Sequence, residues 1–270
     1  MQYCLLTIKK KKFIKDISKI LKGLTMSDKV RIFIGSSANG EDAEAEMTYE
    51  YSLRKNTDRE VEITWMKQTH DESSIWGGWA TERWSTPFSG FRWAIPEACG
   101  FKGRAIYTDC DMINFRDIGD LLDEDLQGKP IGARPGTRFG GHEFCVMVFD
   151  CAAFEPYSIP VSRMKAIAES HHRMIGNFSG NAQLVHNLDP RWNCLDGEDY
   201  AVEDIWHLHY TKMASQPWQP DWFKGTAEKH ARPELVELWH KTREEASEAG
   251  YVSGNYLPKE KYGDYNIIGM

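Results

Sequence analysis

The chain has 270 residues, 41% hydrophobic and 27% charged, with a formal charge of −7 from 33 basic and 40 acidic side chains. This composition excludes a disordered or collagen-like chain, and no apolar run approaches the roughly 18 residues of a membrane span. The acidic balance argues against sequence-independent nucleic-acid binding, so no nucleic acid is expected as a partner.

Residues 1–29 read as a basic amphipathic extension. A short apolar opening, Tyr3 to Ile8, runs into Lys9 to Lys12, and Phe13, Ile14, Ile17, Ile20, Leu21 and Leu24 then recur at helical spacing. The positive charge follows the apolar stretch, the reverse of a secretory signal. Residues 9–24 suit peripheral contact with an anionic membrane surface; a solvated helix covering the domain is the plainer alternative. Met26 reads as a second natural start, which would leave the first 25 residues dispensable.

From Val30 the pattern becomes regular. Val30 to Gly35 is a buried-strand signal ending in the small-residue loop Gly35-Ser36-Ser37-Ala38-Asn39-Gly40. A helix is expected over 42–55 and a strand over Val61 to Trp65. The stretch Thr69 to Thr86, carrying Trp76, Trp79 and Trp84, reads as a long loop, the kind that stacks a sugar or closes as a lid, though aromatic rings are at least as often structural. Phe88 to Cys99 reads as a helix interrupted by Pro96. Arg104 to Thr108 is a strand, Asp117 to Glu124 a short helix, and Phe144 to Phe149 a buried strand. Pro160 to His172 reads as helix, Ile205 to Tyr210 as strand, and Arg232 to Gly250 as a charged amphipathic helix. Strand alternating with helix predicts a mainly parallel α/β sheet. Cys4, Cys99, Cys110, Cys145, Cys151 and Cys194 form no C-x-x-C pair, which fits a reducing, cytoplasmic setting better than a zinc knuckle.

In open α/β sheets ligands bind beyond the carboxyl ends of the strands, and two features sit there. The Gly35 to Gly40 loop has neither Walker nor G-x-G-x-x-G spacing, so it signals only a close backbone approach. Asp109-Cys110-Asp111 directly follows an apolar strand, where carboxylates at i and i+2 can hold a hard divalent cation that grips phosphate oxygens. The spacing alone is cheap, since Asp123-Glu124-Asp125 repeats it at a predicted helix end. His207-Leu208-His209 adds an imidazole, and a mixed N/O set suits Mn²⁺ better than Ca²⁺; a core or surface histidine is the plainer alternative.

These segments together resemble glycosyltransferase family 8 and its bacterial relatives. Arg104 to Met112 is similar to the D-x-D strand of that family, and Phe91 to Glu97 to the arginine-containing helix before it. Asp117 to Leu121 resembles the usual continuation, and His209 to Trp218 the histidine segment that closes on Pro-Trp, with Asn193 ahead of it. The resemblance covers roughly residues 30–222. There are departures. Glu143-Phe144-Cys145 stands where Asn-Ser-Gly is usual, Gln216 replaces the lysine before Pro-Trp, Lys212 stands where glycine is common, and an Asp-Gln pair before Asn193 is absent.

The resemblance implies a GT-A fold: a mixed, mostly parallel sheet flanked by helices, with a catalytic domain over 30–225 and a C-terminal helix and tail, 226–270, packed on it. It implies transfer of a hexose from a nucleotide-diphosphate sugar, a UDP-sugar in the first instance, to a glycan, a lipid-linked saccharide or another hydroxyl acceptor, with retention. Asp109, Asp111 and His209 would hold Mn²⁺ or Mg²⁺. Gly35, Ser36, Ser37, Arg92 and Asp109 would contact the donor, with Lys212 on the β-phosphate and Glu143 at the sugar. Trp218, Trp222 and Phe223 are further candidates for stacking, and a homodimer is an admissible assembly. Two other classes remain open from the residues alone: a metal-dependent nucleotidyltransferase or phosphohydrolase, and a non-catalytic carbohydrate-binding protein.

Overall fold

The computed structural model describes residues 29–136, 141–218 and 225–264. The expectations for the N-terminal extension, its membrane contact, Trp222 and Phe223 lie outside these residues. Among the described residues no helix is long and apolar enough to cross a membrane.

A six-stranded sheet has the order β2-β1-β3-β6-β5-β7. Its strands are β1 (Lys29–Gly35), β2 (Glu60–Met66), β3 (Arg104–Asp109), β5 (Ile131–Pro135), β6 (His142–Asp150) and β7 (Val185–Asn187). β1 pairs parallel with both β2 and β3, and β5 with β7, whereas β6 runs antiparallel to β3 and β5. The sheet is therefore mixed and mostly parallel. A second sheet, β4-β9-β8, is built from β4 (Met112–Asn114), β8 (Cys194–Leu195) and β9 (His207–His209).

The two-residue side-chain period explains why both faces of the main sheet are covered. Ile32, Ile34, Ile106, Val146 and Val148 point to one side, where they meet Tyr49 and Leu53 of the helix Ala43–Lys55. Phe33, Ala105, Tyr107, Met147 and Phe149 point to the other, against Phe91, Trp93, Ile95, Phe154 and Phe178. A third cluster joins the small sheet to the helix Pro233–Glu248 through Leu208, Tyr210, Trp218, Leu235 and Trp239. That helix is tied to Ala43–Lys55 by Arg243–Glu44 at 2.6 Å and Lys55–Glu245 at 2.5 Å.

Several elements differ from the sequence reading. Phe88 to Cys99 is a 3-10 turn, Phe91–Ala94, followed by the helix Ile95–Ala98, and Pro96 lies in its first turn, where its missing N–H costs nothing. The helix over Pro160 to His172 is two helices, Val161–Lys165 and Ser170–Phe178. The strand over Ile205 to Tyr210 shrinks to β9, because Val202–Asp204 forms a 3-10 turn just before it.

The Trp-rich stretch is not an open lid. Trp84 is fully buried and Trp79 nearly so; both pack edge-on against Phe91, with Trp76 tilted against the same ring. Trp218 is likewise buried, stacked on Trp239.

Candidate functional site

Residues from both sheets meet at the carboxyl ends of β1 and β3. Pairing in register sets Gly35 beside Asp109. Gly35 has no room for a larger residue: a Cβ there would lie 2.5 Å from Cδ2 of Phe88, which closes over the strand end. β3 ends at Asp109, Asp111 follows, and β4 begins immediately with Met112. The antiparallel register of β4 with β9 puts Met112 opposite His209, and the Tyr210 amide donates to the Asp111 carbonyl at 3.0 Å. Backbone pairing thus brings together Asp111 and His209, 98 positions apart.

A cavity of about 390 Å³ opens over this junction, lined by Ser37, Asp42, Arg92, Asp109, Asp111, Cys145, His209, Thr211 and Gln216 with the Ser85 to Ser89 segment. Nε2 of His209 lies 3.3 Å from Oδ1 of Asp111, yet that oxygen makes no hydrogen bond. Oδ2 of Asp111 accepts from Nε2 of Gln216 at 3.3 Å. On its far side the His209 ring meets Oδ1 of Asn193 at 3.1 Å. A carbonyl oxygen only accepts, so Nδ1 carries a proton and Nε2 is the nitrogen turned toward Asp111. Asp109 receives Tyr107 Oη and, at 3.4 Å, Arg92 Nη2, both on Oδ1. Arg92 is buried, its guanidinium 4.3 Å above the Tyr107 ring and donating to the carbonyls of Ser89 and Phe144.

Burial pushes the His209 ring toward neutrality, but the Asp111 carboxylate, backed by Asp109 and Asp196, outweighs it and holds the pKa above the ordinary value. Two facing ligand atoms, Nε2 of His209 and an Asp111 oxygen without a hydrogen bond, fit a place where a cation is at home. Asp111 and His209 stand together and Asp109 lines the same cavity, donor types that suit a divalent ion.

The remaining predicted residues are distributed unevenly. Ser37 lines the cavity and its hydroxyl donates to Asp42 at 2.5 Å, while Ser36 is turned inward onto buried Glu46. Lys212 adjoins the lining residues Thr211 and Met213, but its ammonium pairs with Glu228 at the exposed surface. Glu143 is not among the lining residues; it faces buried Arg134 at 3.4 Å. His207, beside His209 in sequence, stacks on Tyr49 in the core, where burial and then His209 drive its pKa down to about 3. Asp123 of the second acidic triplet pairs with Arg59 at 2.8 Å, far from this chemistry in role.

Among the lining residues with no part in the expected site are Asp42, Cys145 and Gln216. The last two were visible in the sequence as departures from the family pattern. Asp42 carried no signal, since an acidic residue before a helix reads as a cap.

Burial raises Asp42 to about 6 and Glu46 to about 7, the latter despite Lys67 at 2.7 Å. A carboxyl raised on folding stabilises the native state below its unfolded value and loses that contribution as pH climbs through the folded value. Folding stability should therefore fall between about pH 4 and 7 by an amount on the order of a few kcal/mol. Glu46→Gln should flatten this decline in thermal melts; an unchanged slope would remove Glu46 as its source.

No protein-family model and no curated protein matches the chain. Solved structures do share its fold. The galactosyltransferase LgtC, in complex with donor and acceptor sugar analogues, superposes with a TM-score of 0.56 at 13% identity, covering 80% of this chain and 96% of that one. The glycosyltransferase GlyE of Streptococcus pneumoniae TIGR4 gives 0.57 at 14% identity, with 87% of this chain and 66% of that one covered. The bifunctional glycosyltransferase WbbM gives 0.56 at 11% identity; the match covers 83% of this chain and about half, 52%, of WbbM. The chain has a glycosyltransferase fold.

Proposed function

We propose that this protein is a cation-dependent glycosyltransferase that moves a hexose from a UDP-sugar to a hydroxyl acceptor, a glycan or lipid-linked saccharide, with retention. The observation that carries this reading is the meeting of Asp111 and His209 at 3.3 Å on the floor of a cavity that also exposes Asp109. The fold shared with LgtC, which was captured with donor and acceptor sugar analogues, supports it.

Departure of a nucleoside diphosphate leaves about two to three negative charges, which need compensation as they develop. Asp109, Asp111 and His209 would hold Mn²⁺, or Mg²⁺ in its place, and the ion supplies Lewis-acid stabilisation of the diphosphate. The chain's own groups do the rest. Asn193 fixes the His209 tautomer, and Gln216 anchors Asp111 while also donating to the Tyr210 carbonyl at 2.9 Å. The loop after β1, with Ser37 at the cavity wall, receives the nucleoside. Gly35 and Ser36 set the course of that loop rather than line the cavity. Arg92, pinned by two carbonyls and Tyr107, brings a fixed positive charge to the donor side of Asp109. Lys212 exchanges Glu228 for the β-phosphate when donor binds. Glu143, held by Arg134, is left without a role in this scheme.

The test is product analysis. Incubation with UDP-sugars and Mn²⁺ should release UDP, slowly even with water as acceptor, and chelation should stop it. Release of pyrophosphate or inorganic phosphate instead would assign a nucleotidyltransferase or phosphohydrolase. For Lys212→Ala we expect a donor KM raised about tenfold, the scale of one hydrogen bond to a charged group. Its thermal midpoint should be unchanged, because the Glu228 pair is exposed. An unaltered KM would reduce Lys212 to a surface residue.

A further inference from the structure

One lining residue offers chemistry that two aspartates and a histidine do not. Cys145 lies on β6 next to Val146, which pairs with Thr108, so it is carried to the same strand end as Asp109. One ligand atom each from Asp109, Cys145 and His209 lie within 4.8 Å of one another. Atoms bound to a common ion at ~2.0–2.3 Å are separated by up to roughly 4.6 Å, so little adjustment would close the set. The thiol is free and half-buried, facing the cavity rather than a disulfide partner.

We infer that Cys145 is a ligand of the cation in this centre, making it a mixed oxygen, sulfur and nitrogen site for a borderline or soft divalent ion of the Zn²⁺, Co²⁺ or Cd²⁺ class. The inference rests on the cation site proposed above and adds to it the identity of a ligand and a metal preference. Soft thiolate favours these ions, whereas Mg²⁺ demands oxygen ligands. On binding, the sulfur–hydrogen bond breaks, the proton passes to solvent, and a sulfur–metal bond forms without any change of oxidation state. Arg92 flanks both Asp109 and Cys145, but burial and the Asp109 carboxylate outweigh it and push the thiol up, so the ion itself must displace the proton. Asp111, on the other side of His209, remains available to hard ions, so Mn²⁺ and Zn²⁺ would compete for one centre through different edges of it.

The experiment is spectroscopic. Co²⁺ added to the full-length protein should give visible d–d bands together with a near-ultraviolet thiolate-to-cobalt charge-transfer band. In Cys145→Ser the charge-transfer band should vanish while the visible bands persist. Zn²⁺ affinity should fall at least about tenfold, a loss typical even of outer-shell partners, and Mn²⁺ affinity much less. A measurement on the unmutated protein guards against misfolding of the variant: Zn²⁺ should protect Cys145 from alkylation, read by peptide mass spectrometry. Visible bands without charge transfer in the unmutated protein, or a charge-transfer band that survives Cys145→Ser, would overturn the ligand assignment and leave the cation site standing. Absence of all cobalt bands would overturn the cation site as well.

Discussion

Asp111→Asn should reduce Mn²⁺-dependent turnover of a UDP-sugar by about 10²–10³-fold or more, the scale seen when one electrostatic stabiliser is removed from an active site. The substitution preserves shape and deletes one negative charge. Asparagine can still meet Gln216 and the His209 ring, which lie 3.3 Å from the two carboxylate oxygens, so the junction of β4 with β9 should remain closed. Asp111 is partly exposed at the cavity, and thermal midpoint should move by only a few degrees. A variant that retains turnover within tenfold of the unmutated protein would remove Asp111 from the chemistry. One that unfolds would show a structural role instead, and His209→Gln would then carry the test.

Trp84→Ala should have the largest effect on stability, about 3–5 kcal/mol. The ring is fully buried and makes edge contacts with Trp79 and Phe91, and Gly90 has been kept small beside it: a Cβ there would lie 2.2 Å from the indole. The consequence separates two readings of the Trp-rich stretch. A core ring lowers the denaturation midpoint and leaves the acceptor KM of the surviving folded protein unchanged. A sugar-stacking ring does the reverse, raising KM with little change in the midpoint.

That stretch also shows where sequence reading stops. Trp76, Trp79 and Trp84 sit in a stretch broken by Gly77 and Gly78 and forming no helix or strand, so nothing local reveals which way each ring turns; the loop is folded by what it packs against. By contrast β1, β3 and β6 were legible because a strand covered on both faces is apolar throughout. The short strands β4, β5, β7 and β8 were not, since two to five residues carry no periodicity and their partners are remote in sequence.

The site was legible in the same uneven way. Asp109 and Asp111 announced themselves at a strand end, and His209 gained meaning from the family pattern around it. Cys145 and Gln216 stood out only as mismatches to that pattern, and the structure turns both toward the cavity. Glu143 was chosen by position within the pattern, but the register shift between β5 and β6 at Ala133/Arg134 leaves it paired with Arg134. Strand register, not residue type, decides which side chain of that segment reaches the cavity.

Titrating UDP into the protein by calorimetry, with Mn²⁺ and then with a chelator, tests the cation-centred account most directly. Coupling between nucleotide and ion should tighten UDP binding about 5–150-fold in the presence of Mn²⁺, and the gain should disappear in Asp111→Asn. Equal UDP affinity with Mn²⁺ and with chelator would contradict it.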